Sequence, residues 1–161
     1  MNFAVILLGA NLGDKQAMFA RVEEMLEQHI GTIVKKSSYY KSPAWGFESN
    51  DSFLNQIIVI ETEFSAHDTL LRCQAIESKC GRTRSQNNGY ESRVIDIDIL
   101  YFNNDIIDSD DLIIPHPLLQ QRRFALMPLV EVLPEYVHPI LMKSNLQLLE
   151  DCIDNSLVEK V

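Results

Sequence analysis

Apolar residues along this chain change their period several times, and each change marks an element. Phe3 to Leu8 is an unbroken apolar run, which predicts a central strand. Gly9-Ala10-Asn11-Leu12-Gly13-Asp14 reads as a tight turn. Met18, Val22, Met25 and Leu26 then recur at helical spacing, and Gly31 is placed to end that helix. Thr32 to Tyr40 alternates loosely as a second strand, and Lys41 to Asp51, with Pro43 and Gly46, is a loop. Phe53 to Glu63 is a third strand. Ser65 and Asp68 have the spacing of a capping box for a second helix that runs to Cys80, with Gly81 beyond it.

From Arg82 to Ser92 almost nothing is apolar, so the stretch predicts a long loop, and such loops are usually functional or disordered. Val94 to Phe102 is so rich in β-branched and aromatic residues that it predicts a buried fourth strand. Asn103-Asn104-Asp105 is a turn, Ile106 to Ile114 a short hairpin arm, and Pro115-His116-Pro117 a break. Arg123 to Glu131 predicts a short helix. Leu146, Leu149, Ile153 and Leu157 extend helical spacing into the tail. The order β-α-β-β-α-β plus a C-terminal extension predicts an α+β fold. A split βαβ of this kind has a four-stranded antiparallel sheet with both helices on one face and the other face free for a ligand. At 161 residues, without repeats or a linker, the chain reads as a single domain over 1–161.

The fourth strand carries the most informative chemistry. Side chains alternate across a strand, so Asp96 and Asp98 share one face while Ile95, Ile97 and Ile99 share the other. Two neighbouring carboxylates in a buried strand repel and lose hydration, which is costly unless a cation sits between them. A hard divalent ion supplies that charge, and magnesium usually arrives attached to substrate phosphates. The other reading is a strand edge whose aspartates are solvated or paired with Lys or Arg.

Charge narrows the partners. Fourteen Lys and Arg against 23 Asp and Glu give a net charge of -9, which disfavours non-specific contact with nucleic acid or anionic membrane. Yet of the arginines, Arg82, Arg84 and Arg93 lie close together, Arg122 and Arg123 form a pair, and these five bracket the Asp96/Asp98 strand. Arg93 is near enough in sequence to reach an anion held by such a metal. The polar loop is read either as a closure over bound nucleotide or as a solvated charged surface. No apolar run approaches the ~20 residues of a membrane span, no signal pattern opens the chain, and Cys73, Cys80 and Cys152 lack C-x-x-C spacing. A cytoplasmic monomer is expected, without nucleic acid or membrane as partner.

An acceptor socket is harder to read. Phe53 and Asn55 share a strand face, and an aromatic ring beside an amide suits a flat heterocycle, with Phe124 as a second aromatic face; plain core packing is the other reading. His116, rigid between two prolines, is either a phosphate donor or a surface histidine. Glu77 falls at helical spacing with Leu70, Cys73 and Cys80, as support for a metal site or as a solvated helix edge. The Gly9–Gly13 turn lacks the Lys-Ser/Thr of a Walker loop and the third glycine of a dinucleotide fingerprint.

At these residues the chain resembles the 6-hydroxymethyl-7,8-dihydropterin pyrophosphokinases of folate biosynthesis. The matching pieces, in order, are Leu8-Gly9-Ala10-Asn11-Leu12-Gly13, Tyr40-Lys41-Ser42-Pro43-Ala44-Trp45-Gly46, Phe53-Leu54-Asn55, Ile76-Glu77 and Gly81-Arg82-Thr83-Arg84. Arg93-Val94-Ile95-Asp96-Ile97-Asp98-Ile99-Leu100, Ile114-Pro115-His116-Pro117 and Arg122-Arg123-Phe124 complete the set. The resemblance implies a ferredoxin-like sandwich that moves the diphosphate of ATP onto the pterin hydroxymethyl group and releases AMP. It implies that Asp96 and Asp98 coordinate two magnesium ions and that Arg82 and Arg93 are catalytic, stabilising the diphosphate. Gln74, Arg84, Ile99, His116 and Arg122 are implied at the nucleotide. Phe53 and Phe124 are implied to sandwich the pterin, with Asn55 and the backbone of Ser42, Pro43, Ala44 and Trp45 at its edge. Where many relatives have Arg-Trp-Gly-Pro-Arg before the aspartates, this chain has Asn88-Gly89-Tyr90-Glu91-Ser92-Arg93. A regulatory module on the same fold and a two-metal nuclease or nucleotidyltransferase are the competing functional classes.

Overall fold

The N-terminal apolar run becomes β1 (Asn2–Ala10), an inner strand of the sheet. The computed structural model describes residues 1–45, 52–81 and 95–161. After β1 come α1 (Lys15–His29), β2 (Gly31–Lys36), β3 (Tyr40–Ser42), β4 (Phe53–Thr62), α2 (Ala66–Lys79) and β5 (Asp96–Phe102). A two-stranded arm, β6 (Ile107–Asp108) with β7 (Ile113–Ile114), precedes α3 (Arg123–Val132), α4 (Asn145–Asp151) and a final strand β8 (Glu159–Lys160).

Among the described residues the main sheet has six strands rather than the expected four, in the order β5-β1-β4-β3-β8, with β2 also pairing β4. Every pairing in it is antiparallel. The expected single strand Thr32 to Tyr40 is two strands, because Ser37 interrupts the regular ladder. Its hydroxyl accepts the Ile57 N–H at 2.9 Å, and its own N–H donates to the Ile57 carbonyl. A side chain thus takes a place that backbone pairing would fill, and the chain restarts as β3. Gly31 also has a different role from the expected helix stop. A Cβ there would lie 1.8 Å from the Glu61 carbonyl oxygen, so the close approach of β4 demands glycine. Gly81, with φ +96°, does end α2 in the left-handed region.

Helices lie on both faces of the sheet, which corrects the expectation of one covered and one free face. On the first face Ala4, Ile6 and Leu8 of β1, Ile58 and Ile60 of β4 and Ile97 and Ile99 of β5 pack under Phe19, Val22 and Leu26 of α1 and Cys73 and Ile76 of α2. On the second, Val5, Leu7, Ile57, Val59 and Leu100 pack under Ala125, Leu126 and Leu129 of α3 and Leu148 of α4. A bulge in β5 supports this division. Val5 pairs with Tyr101 but Ile6 with Ile99, so Leu100 and Tyr101 both join the second core before Phe102 returns to the first. The Tyr101 hydroxyl donates to Asn145 Oδ1 at 2.7 Å, which ties α4 to the sheet.

The tail departs from the expected helical stripe. Ser144 and Gln147 form a reciprocal capping box at the start of α4, whereas at α2 the Ser65 hydroxyl accepts the Asp68 N–H. The helix then stops at Asp151. Asn145 and Leu148 are its buried positions, Leu146 and Leu157 are exposed, and Ile153 is 90% exposed. Beyond it Val158 is buried and β8 adds itself to the edge of β3. Strand pairing overrides helical periodicity there, because β3 offers an unpaired edge.

Candidate active site

The second face of the sheet is apolar at one end and polar at the other, and the polar end lies open. Register places Asn55 of β4, Gly9 of β1 and Asp96 of β5 in one cross-strand row, with Ile57, Leu7 and Asp98 in the next. Alternation therefore turns both aspartates to the face that α3 and α4 cover further along, while Ile95, Ile97 and Ile99 enter the opposite core. Gly9 adds no side chain between Asn55 and Asp96, so the floor of the cleft stays flat. The cleft encloses about 300 Å³ and is lined by Ser42, Pro43, Trp45, Phe53, Asn55, Asp96, Asp98, His116, Arg122 and Phe124, with Leu7 and Gly9 beneath.

One end of this cleft is aromatic. Trp45 and Phe124 meet edge to face, with ring centres 6.4 Å apart. The Arg122 guanidinium lies 4.8 Å from the Trp45 ring centre and 5.7 Å from that of Phe124. Asn55 is fixed from behind, donating to Ser42 Oγ at 2.8 Å and to the Tyr40 carbonyl at 3.3 Å. With its amide hydrogens engaged there, Oδ1 lies over Gly9 at the cleft floor as an acceptor.

The other end is charged. Arg122, half-buried, has its Nε buried without a hydrogen-bond partner among the described residues. Burial pulls its pKa down and the Asp98 and Asp96 carboxylates push it back up. His116 is set by its backbone, whose N–H donates to the Leu100 carbonyl at 2.9 Å beside the β5 bulge. Its Nδ1 accepts the Leu118 N–H at 3.2 Å, so the neutral ring carries its proton on Nε2. Burial, together with the Arg122 charge, pulls the ring down to about 4.

A second cleft of about 250 Å³ wraps the edge of β5 and shares Asp98 and His116 with the first. Leu70, Ile97, Ile99, Leu112 and Pro117 give it apolar walls, and Asp110 and Asp111 lie at its rim. Ile99 is thus a wall residue of this second cleft. Gln74 does not line either cleft and is exposed on α2, while Ala44 sits between two wall residues without lining the cavity. Arg82, Arg84, Arg93 and Tyr90 lie outside the described residues. Glu77 is not a solvated helix edge: it is 4% exposed, and its Oε2 accepts the Ile97 N–H at 3.0 Å. Leu7 and Gly9 line the floor as well; strand alternation puts them on one face of β1, and only the pairing with β5 sets that face beside Asp96 and Asp98.

No group of three or more His, Cys, Asp or Glu able to hold a metal occurs among the described residues. Two carboxylates alone would make a partial ligand set, suited to a hard ion whose remaining ligands are water and substrate oxygens and not to a closed structural site.

Solved structures give the fold. The HPPK-DHPS wild type of Plasmodium falciparum, crystallised with pteroate, aligns with a TM-score of 0.77 at 17% identity, covering 92% of this chain and 44% of that one. The same protein with SDX-DHP aligns equally well. The chain spans less than half the length of those structures, which share with it a mixed helix-and-sheet architecture. Sequence gives the family. The 7,8-dihydro-6-hydroxymethylpterin-pyrophosphokinase (HPPK) model matches residues 5–134. A 2-amino-4-hydroxy-6-hydroxymethyldihydropteridine pyrophosphokinase of Porphyromonas gingivalis is 40% identical over 141 residues, covering 86% of this chain and 95% of that protein. One from Bacillus subtilis is 39% identical over 132 residues, covering 81% and 78%. The chain belongs to the 7,8-dihydro-6-hydroxymethylpterin-pyrophosphokinase family.

Proposed function

We propose that the cleft transfers the diphosphate of ATP to the hydroxymethyl group of 6-hydroxymethyl-7,8-dihydropterin, on a ferredoxin-like scaffold formed by a single domain over 1–161. The observation that carries this reading is the meeting, in one cleft, of two carboxylates and a cation with an aromatic, amide-lined end. A flat heterocycle fits between Phe53 and Phe124, with Asn55 Oδ1 accepting from its edge. The nucleoside fits the apolar second cleft beside Ile99, and the triphosphate then crosses at Asp98 and His116, where the two clefts join.

The hydroxymethyl oxygen attacks the β-phosphorus, the bond from that phosphorus to the α,β-bridging oxygen breaks, and AMP leaves with the oxygen. Such a reaction needs positioning and charge more than covalent help. Arg122 faces the negative charge of the phosphates, and His116 Nε2–H donates a neutral hydrogen bond to them. Asp96 and Asp98 would hold magnesium, which would neutralise phosphate charge there. Arg82 and Arg93 are assigned to the diphosphate, and Arg84 and Gln74 to the nucleotide, by likeness to the family. No side chain is assigned as general base.

Incubation with ATP, magnesium and the reduced pterin alcohol tests the reading. AMP is expected in equal amount to the pterin diphosphate. Release of ADP, or AMP formation that does not depend on the pterin, would overturn it.

A further inference from the structure

A carboxylate in the last turn of a helix meets the negative end of the helix dipole, so Glu131 on α3 stands against its local electrostatics. Three partners from elsewhere in the chain hold it there. One carboxylate oxygen accepts the Ser38 N–H. The other accepts the Tyr40 hydroxyl at 3.2 Å and pairs with Lys160 Nζ at 3.0 Å. Ser38 leads into β3, Tyr40 begins it, and Lys160 belongs to β8. That last strand pairs with β3, Tyr40 opposite Lys160 and Lys41 opposite Glu159, and Val161 N–H donates to the Tyr39 carbonyl at 2.9 Å.

The two elements tied at Glu131 carry opposite walls of the cleft. Helix α3 starts with Arg122 as its cap and Phe124 in its first turn. Strand β3 runs directly into Ser42, Pro43 and Trp45, and its Tyr40 carbonyl holds Asn55. Trp45 and Phe124 touch across the cleft mouth, so a shift of α3 against β3 changes their spacing. The Lys160 pair is too exposed to matter much for global stability. Its geometric effect is larger, because it fixes a side chain that ties the α3 wall to the β3 wall.

We propose that Glu131, locked by Lys160 of β8, is a positioning residue that sets the spacing of the aromatic walls around the acceptor. The inference rests on the reading of this end of the cleft as the pterin site.

Trp45 is the chain's single tryptophan, so its fluorescence reports the wall directly. In Glu131→Ala, acrylamide quenching of Trp45 is expected to rise about twofold and the pterin KM about tenfold, with kcat and the ATP KM within about twofold of wild type. Lys160→Met should move both readouts in the same direction by less, and Lys160→Arg, which keeps the pair, should restore them. Wild-type quenching in folded Glu131→Ala, or equal rises in both KM values, would overturn the proposal. If Glu131→Ala does not fold, Lys160→Met, a change at an exposed side chain, decides by the same criteria. A wild-type chain that forms no AMP would sink the pyrophosphokinase reading, and the quenching comparison would still decide the tie.

Discussion

The Glu77 carboxylate accepts the backbone N–H of Ile97 at 3.0 Å, from the side of β5 that does not pair with β1. Among the described residues β5 ends the sheet, so its outward Ile97 N–H needs a partner, and a buried acid on α2 supplies one. The contact fixes the strand between Asp96 and Asp98, at the one residue that separates them. Glu77→Ala leaves that N–H buried without its acceptor, and a loss of about 1–3 kcal/mol in unfolding free energy is expected. Glu77→Gln, whose amide oxygen still accepts, should lose less than half of that. Urea denaturation checks both, and an alanine variant as stable as wild type would show that the bond contributes nothing.

His116 makes the unliganded protein acid-sensitive in a defined window. Burial and the Arg122 charge hold the folded ring at about 4, against an ordinary value of 6.5. Between those values the unfolded chain takes up a proton that the native one refuses, so stability falls as pH drops from 6.5 toward 4 and is unaffected by this group above 6.5. Discounted for partial exposure of the ring, the loss is about 2 kcal/mol. His138, also lowered by burial, acts in the same direction, so the comparison must be between variants. Denaturation at pH 7 and pH 5 should show a smaller loss for His116→Gln than for wild type. Parallel losses would mean that the ring is not buried as described.

Much of this site is legible in the sequence because strand periodicity survives in the fold. The alternation of Asp96 and Asp98 with Ile95, Ile97 and Ile99 predicts the faces those side chains take. Phe53 and Asn55 share a face for the same reason. What periodicity does not supply is the second layer. Nothing local tells that α3 covers Val5, Ile57 and Leu100 and stops short of Asp96, because that boundary is set by tertiary packing and by the bulge at Leu100. For Glu77 the sequence leaves a solvated helix edge open as one of two readings, because the need it meets, the outward N–H of Ile97, belongs to a residue 20 positions away. The tail misleads by its apparent period: Ile153 and Leu157 fit a helical stripe, yet pairing with β3 fixes the chain as a strand at Glu159–Lys160.

The cysteines give a measure of how tightly the first core is closed. Cys73 lies at 0% exposure under β5, and burial, with the Glu77 and Asp98 carboxylates, pushes its thiol up to about 12. Cys80 is also buried and raised by that burial, with Sγ 3.7 Å from Met25 Sδ. Cys152 is half-buried, after α4. A water-soluble disulfide reagent should therefore modify Cys152 alone in the native protein and all three thiols after denaturation. Rapid native modification of Cys73 would mean that α2 opens readily from β5.

The acid pair is the sharpest test of the site. Asp96 and Asp98 sit on adjacent cross-strand rows, beside Gly9 and Leu7, and neither belongs to an apolar core of the fold. Removing either acid should therefore spare folding while removing negative charge that, on the proposed reading, would hold a cation against the phosphates. Asp96→Ala and Asp98→Ala are each expected to lower kcat about a thousandfold or more, with thermal midpoints within about 5 °C of wild type. Asp98→Asn, which keeps shape and loses charge, should fall nearly as far, and raised magnesium should recover part of its activity. Two outcomes would contradict the assignment: turnover within tenfold of wild type in either alanine variant, or an activity loss matched by unfolding. The first would remove the metal role, and the second would make the pair structural.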